Sequence, residues 1–119
     1  MINMKPLVYE KLTSITENVS GSYPGDWATF PVIQYTEEQN EPDIWTSEGE
    51  AHTLVAFKID IWVKEGSTSQ LAQQVNDAMY DIGLYRKGCS DIDEPSGLKH
   101  KDMRFDASIN VRTNISYLA

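Results

Sequence analysis

The sequence predicts an α+β fold, a two-layer sandwich in which two helices cover one face of a four-stranded, mainly antiparallel sheet. Two observations lead to this prediction. Apolar residues recur at helical spacing in two segments and alternate with polar residues in others. The segments follow the order helix, strand, strand, helix, strand, strand, and short links between paired strands favour antiparallel hairpins. The length of 119 residues suits a single domain over 1–119.

The first helix is predicted over 5–18, because Pro6 suits the first turn of a helix and apolar residues then recur at helical spacing. The turn-forming stretch SGSYPGD, which starts at Ser20, ends this helix. A strand is predicted over 30–37, where Pro31 is tolerated at the beginning or on an edge. These elements supply the first helix and the first strand of the sandwich.

Residues 39–52, QNEPDIWTSEGEAH, show no period and are rich in acids. We expect them to form a long acidic loop between two antiparallel strands, and loops of this length are usually functional or disordered. Ile44 and Trp45 stand out in this loop, since a mobile loop gains nothing from exposed apolar groups. They are therefore candidates for an interface, and the loop is expected to become ordered on assembly.

The second strand, predicted over 53–64, contains FKIDIWVKE, in which apolar and polar residues alternate with a period of two. Its apolar face carries four large side chains, Phe57, Ile59, Ile61 and Val63. The opposite face carries Trp62. Because two layers cover only one face of the sheet, we expect Trp62 to be exposed, and exposed aromatic side chains are frequent interface elements.

A second helix is predicted over 67–82, with Ser67 as its N-cap and Gly83 as the left-handed residue after its end. A short strand is predicted over 84–89, and a turn-rich connection follows it. The last strand is predicted over 101–114, and its apolar face carries Met103, Phe105, Ala107, Ile109 and Val111. These elements complete the two helices and four strands of the sandwich.

The formal net charge of −8 is concentrated in the first half of the chain. Between Leu12 and Phe57 there is no Lys or Arg, but there are eight acids: Glu17, Asp26, Glu37, Glu38, Glu41, Asp43, Glu48 and Glu50. Such a field disfavours binding to nucleic-acid backbones, which requires Lys and Arg. Two interpretations remain open, a solvated loop that favours solubility and a surface that repels DNA or meets a basic partner.

The sequence contains no arrangement typical of catalysis or metal binding. Cys89 is the one cysteine, so no intrachain disulfide can form, and His52 and His100 lack a second His or Cys at the spacing of a zinc site. The acids of SDIDEPSG do not fit a calcium loop, because Pro95 takes a ligand position. No apolar run has the length of a membrane span or a signal peptide. We therefore expect no cofactor, no metal and no reaction, and synthesis in the cytoplasm.

Three stretches, TFPVIQYTEEQNEP, FKIDIWVKEGSTSQLAQQVNDAMYDIGLYR and GLKHKDMRFDASI, follow one another in the order of a known family. On these stretches the chain resembles the small tail completion, or tail terminator, proteins of long-tailed phages and prophages, over nearly its whole length. The resemblance implies a ring, commonly of six subunits, on the end of the tail tube. Such a ring stops polymerisation of the tube and offers the surface to which the head joins.

The resemblance also implies the partners and the location. The partners are other copies of the chain, the tail tube protein and a head-completion or connector protein, while DNA passes through the ring without specific binding. The protein is made in the host cytoplasm and ends in the virion, at the junction of head and tail, with no cofactor, reaction or membrane. The alternatives are a head-completion or connector adaptor of the same virion, or a small cysteine-dependent enzyme or binding domain built around Cys89.

The residues that we predict at subunit contacts are Ile44, Trp45, Asp60, Trp62, Lys101 and Arg104. The first two belong to the acidic loop, and the next two lie in the IDIW stretch of the second strand. Lys101 and Arg104 lie in the HKDMRF stretch, which resembles a strand of the family with the pattern HKxMRF. Each of these two bases meets an acid either across an interface or within the chain, and a surface pair within the chain contributes little stability.

Overall fold

Two helices and six strands make up the protein, and the computed structural model describes residues 1–119. The helices are α1, Lys5–Thr13, and α2, Ser69–Asp81. The strands are β1, Val19–Ser20; β2, Val32–Thr46; β3, Gly49–Val63; β4, Tyr85–Ile92; β5, Lys99–Asn110; and β6, Ser116–Tyr117. Neither helix combines the length and the apolar composition that crossing a membrane requires.

All six strands belong to one sheet, in which the order is β1-β2-β3-β5-β4 and β6 pairs with β5. β1 pairs with β2 in parallel, and the other pairs are antiparallel. The predicted four-stranded, mainly antiparallel sheet is therefore wrong, because the sheet is mixed and has six strands, although the fold is α+β in general. The parallel strand β1 and the strand β6 are each two residues long, and so short a strand has no alternation that a sequence could reveal.

The two helices pack on one face of the sheet. α1 is shorter than predicted and buries Val8 and Leu12, whereas α2 buries Leu71, Ala72, Val75 and Met79. After α2 the backbone turns at Gly83, whose φ of 85° is the left-handed conformation that glycine adopts without strain. The N–H of Leu84 then donates to the carbonyl of Met79 at 2.9 Å, which closes the end of the helix and directs the chain into β4.

The core lies between these helices and the central strands β3 and β5. Phe57 pairs with Phe105 and Ile59 with Met103, so that the apolar faces of the two strands coincide. The buried side chains of this face are Val55, Phe57, Ile59 and Ile61 from β3 and Met103, Phe105, Ala107 and Ile109 from β5. The alternation read from the sequence is confirmed here. Burial of one such large side chain stabilises the fold by about 1.5–3 kcal/mol.

The segment predicted as a long acidic loop, 39–52, instead forms the outer part of the β2–β3 hairpin, with β-bulges in the register. Pairing with β3 continues to Thr46, which lies opposite Gly49. The Thr46 hydroxyl accepts a hydrogen bond from the Glu48 N–H at 3.2 Å, and Gly49 has a φ of 113°, so the turn TSEG is locally favoured. The loop prediction is wrong because no residue of this segment is buried, and the segment therefore shows no apolar alternation.

Candidate functional site

The hairpin end, which we define as residues 39–52, gives the protein its elongated shape. The longest dimension is 53 Å, against 22 and 21 Å for the other two, and a strand of 15 residues such as β3 spans about 45–50 Å. None of the residues of the hairpin end is buried. Ile44 is 46% exposed and Trp45 is 66% exposed. The structure therefore holds two large apolar side chains on the surface, far from the core.

The hairpin end is strongly acidic. It carries no Lys or Arg, and its acids are Glu41, Asp43, Glu48 and Glu50. The N-terminal ammonium of Met1 donates a hydrogen bond to Glu50, which holds the pKa of that carboxyl below its usual value. The other three carboxylates form no ion pair within the chain. Ile44 and Trp45 therefore belong to a segment in which three carboxylates have no ion-pair partner.

Polar contacts attach the hairpin end to the rest of the protein. The Ser108 hydroxyl donates to the Asp43 carboxylate at 2.6 Å and lies 3.2 Å from Nδ1 of His52. The Asn40 side-chain amide donates to the Ile2 carbonyl at 2.7 Å. The mobile loop that we expected is therefore absent, and the hairpin end is an ordered part of the single chain.

Trp62, which we expected to be exposed, is only 4% exposed, so that prediction is wrong. Trp27 packs edge-on against it at 5.2 Å between ring centroids, and the His100 ring stacks on it at 4.3 Å. Its indole Nε1 donates to the Glu94 carboxylate at 3.1 Å. The connections before β2 and before β5 supply Trp27 and Glu94, which cover Trp62 on the sheet face that no helix covers. Trp62 is thus an internal side chain of the folded chain.

Asp60, another predicted interface residue, is buried within a partly buried cluster of charged groups on the same face as Trp62. Its carboxylate is 2.9 Å from Nε2 of His100 and 3.8 Å from Nζ of Lys58. Nδ1 of His100 is 2.7 Å from the Glu94 carboxylate, which extends the cluster to the connection before β5. Asp102 lies directly opposite Asp60 in the sheet, and burial, reinforced by the Asp60 charge, raises the pKa of Asp102. The partners of Asp60 are therefore groups of its own chain.

Lys101 and Arg104 also find acidic partners within the chain. Nζ of Lys101 is 3.0 Å from Asp91. Nη1 of Arg104 donates to both oxygens of Glu38, at 2.7 and 2.9 Å, and these hydrogen bonds raise the pKa of the guanidinium, with a further contribution from the Asp102 charge. Both bases thus have intrachain partners, and a role for them at subunit contacts stays a prediction.

The structure does not bring Cys89 close to a histidine. Cys89 is exposed on β4 opposite Met103, whose side chain points to the helix-covered face. His52 and His100 occupy the alternate positions of the ladder and point to the other face. No group of three or more His, Cys, Asp or Glu side chains is arranged to hold a metal ion.

Sequence reasoning identified Ile44 and Trp45 but missed the residues that hold them in place. Asp43 and Ser108 are far apart in sequence, and nothing in either segment alone indicates that they meet. The one available signal was the stretch TSEG, because a two-residue turn fixes the register of a hairpin. That register, continued across β3, determines which β5 residues face the hairpin end.

Comparison with models of known protein families found no match for the chain, and comparison with curated proteins found none either. The hairpin end combines two exposed apolar side chains, three acids without an ion pair and polar attachment to the body. Exposed apolar side chains of this kind are frequent at surfaces that contact another macromolecule.

Proposed function

We propose that the protein is a ring-forming tail terminator of a long-tailed phage or prophage, which caps the tail tube and provides the surface to which the head joins. The observation that carries the proposal is the exposure of Ile44 and Trp45 on an ordered, projecting hairpin. Apolar side chains held outside a complete core gain favourable burial only from another molecule. The assignment to the tail is supported by the three stretches that resemble tail terminator proteins.

The charge of the hairpin end supports the same proposal. A ring on the tail tube must let DNA pass without binding it, and carboxylates repel the phosphate backbone. Glu41, Asp43 and Glu48 carry charges that no base of the chain compensates by an ion pair. In the proposed assembly the partners are other copies of the chain, the tube protein and a head-completion or connector protein, in the virion.

Association of the purified protein tests the ring. Native mass spectrometry and negative-stain microscopy across a concentration series are expected to show a closed ring, with six subunits, for the wild type. Trp45→Ala should remove the ring, whereas Tyr80→Ala should not, because Tyr80 is equally exposed, at 66%, but lies on α2 outside the hairpin. Open fibres, two-fold dimers or monomers in the wild type would contradict the proposal, as would a ring that Trp45→Ala leaves intact.

Deletion of the coding sequence in the virus or prophage that carries it tests the role in the tail. Loss of a tail terminator should give tails of unregulated length and heads without tails, as seen by electron microscopy. Tails of normal length that fail to join heads would instead identify a head-completion or connector adaptor. Normal virions would contradict both roles.

A further inference from the structure

We infer that the hairpin end of one copy docks into a cavity at the opposite end of a second copy. This cavity, which we name the acceptor cavity, is lined by residues that include Phe30, Pro31, Val63, Lys64, Gln70 and Leu71. The inference rests on the proposed ring and specifies which two surfaces of the subunit meet.

The two surfaces lie at opposite ends of the molecule. β3 begins at Gly49 in the hairpin turn and ends at Val63 beside the acceptor cavity, so its 15 residues separate the surfaces by about 45 Å. A contact between two different surfaces of the same chain is heterologous, and such contacts generate rings when the rotation between neighbours closes. A contact between two hairpin ends would instead close as a dimer.

The charge of the hairpin end disfavours contact with a second hairpin end. Such a contact would bring Glu41, Asp43 and Glu48 of one copy against the same acids of the other, and like charges brought together in an interface cost several kcal/mol. The apolar pair Ile44 and Trp45 therefore requires a partner surface that is apolar at its centre and basic at its rim.

The acceptor cavity has these two properties. Phe30, Val63 and Leu71 contribute apolar surface to this open cavity, and its volume of about 500 Å³ is sufficient to receive an indole side chain. Lys64 lies at its rim, and Lys99 is the cross-strand neighbour of Val63. Both lysines are exposed and neither forms an ion pair within the chain. Glu65 is the one acid among the lining residues, so Lys64 and Lys99 place two positive charges against one negative charge at this rim. Lys99 also lines an adjoining cavity, together with Asp91, Asp93 and Glu94.

A second apolar cavity fits less well. It has a volume of about 300 Å³ and is lined by Met1, Leu7 and neighbouring apolar residues. The ammonium group of Met1 is bonded to Glu50, so this cavity adjoins the hairpin end of its own chain. A hairpin end arriving from another copy would there meet the acids of the first, and electrostatics therefore favours the acceptor cavity.

Two charge-reversed variants test the inference. The hairpin variant carries Glu41→Lys and Glu48→Lys, which leaves the Asp43 and Glu50 attachments in place. The cavity variant carries Lys64→Glu and Lys99→Glu. Each variant alone should lower the apparent association constant by about tenfold or more, because the docked surfaces then repel each other. Arg86→Glu is the control, since Arg86 is an exposed base of β4 without an ion pair and lies outside both surfaces.

An equal mixture of the two variants gives the decisive measurement. Every contact in an alternating ring then joins opposite charges, so native mass spectrometry should show the ring again, with the two variants in equal numbers. Restoration also demonstrates that both variants are folded. A ring that tolerates both reversals would overturn this inference while leaving the proposed ring intact, and so would a mixture that gives only heterodimers or stays monomeric. A wild type that forms no ring at all would overturn both.

Discussion

The base of the β2–β3 hairpin and the hairpin end share one ladder of backbone hydrogen bonds but are held by different side-chain interactions. In the base, residues 53–63 of β3 are mostly buried and pack against the helices or under Trp27. In the hairpin end, residues 39–52, no side chain is buried, and contacts such as Asp43 with Ser108 fix its position. The base thus depends on apolar burial, and the hairpin end depends on hydrogen bonds worth about 1 kcal/mol each.

This difference separates stability from association within a single element. Because the hairpin end contributes little buried apolar area to the core, its apolar side chains are available to pack against a partner. Changes at the base should therefore unfold the protein, and changes at the hairpin end should alter association first. Placing matched substitutions in the base and in the hairpin end tests this difference.

The same substitution, Ile→Asp, should have a large effect on stability in the base and a small one in the hairpin end. Ile59→Asp puts a carboxylate into the apolar core, and we expect no cooperative unfolding transition in urea at neutral pH, because the total stability of a domain is only about 5–15 kcal/mol. Ile44→Asp, at a side chain that is 46% exposed, should change the free energy of unfolding by less than about 1 kcal/mol. Similar losses for both variants would show that the hairpin end belongs to the core.

Trp62→Ala should destabilise the monomer strongly, since Trp62 is buried under Trp27 and His100. We expect a loss of about 3–5 kcal/mol in urea unfolding. Trp45→Ala is the matched change in the hairpin end and should lower the free energy of unfolding by less than about 0.5 kcal/mol. An unchanged stability for Trp62→Ala, together with lost association, would instead support the prediction that Trp62 is exposed and lies at a subunit contact.

The sequence was sufficient to predict the parts of the fold that show a regular apolar pattern. The alternation of Phe57, Ile59 and Ile61 identifies the buried face of β3, and the spacing of Leu71 and Val75 identifies that of α2. The hairpin end could not be predicted in this way. None of its residues is buried, so its strands show no apolar alternation. Backbone pairing holds these strands together, and it leaves no pattern in the side chains.

The site was predicted in part, for a related reason. Ile44 and Trp45 are conspicuous because they are apolar residues in an acidic segment, and the structure leaves both exposed. An alternating pattern predicts which face of a strand a residue occupies, but it does not predict which other residues cover that face. The cover of Trp62 comes from Trp27 and Glu94, which lie in irregular connections on either side of it in sequence.

Ser108→Ala should loosen the hairpin end without unfolding the base. The change removes the hydroxyl that donates to Asp43 and contacts His52, and we expect a loss of about 1–2 kcal/mol in the free energy of unfolding. Hydrogen exchange should increase more at the amides of residues 39–52 than at those of α2. Ser90→Ala on β4 is the control, since that serine is exposed. Faster exchange spread evenly over the protein would contradict a local attachment.

The smallest effect that we predict is an increase in the free energy of unfolding, and it comes from a change at Asp102. Burial and the facing Asp60 raise the pKa of Asp102, so the folded state disfavours its ionised form. In the unfolded chain this carboxyl ionises at a lower pH, so the stability of the wild type should fall as the pH rises from the ordinary pKa of Asp through the raised value. Asp102→Asn removes this penalty and should increase the free energy of unfolding at neutral pH by about 0.2–1 kcal/mol.

The pH dependence of this gain distinguishes the charge effect from a change in packing. Below the ordinary pKa of Asp, both states of the wild type are protonated, and the difference between Asp102→Asn and the wild type should vanish. Urea unfolding of both proteins at several pH values measures the difference directly, and Asp93→Asn, at an exposed position, is the control. A gain that persists at low pH would come from the amide itself. A loss at neutral pH would mean that the contact of Asp102 with Arg104, at 3.4 Å, outweighs the repulsion from Asp60.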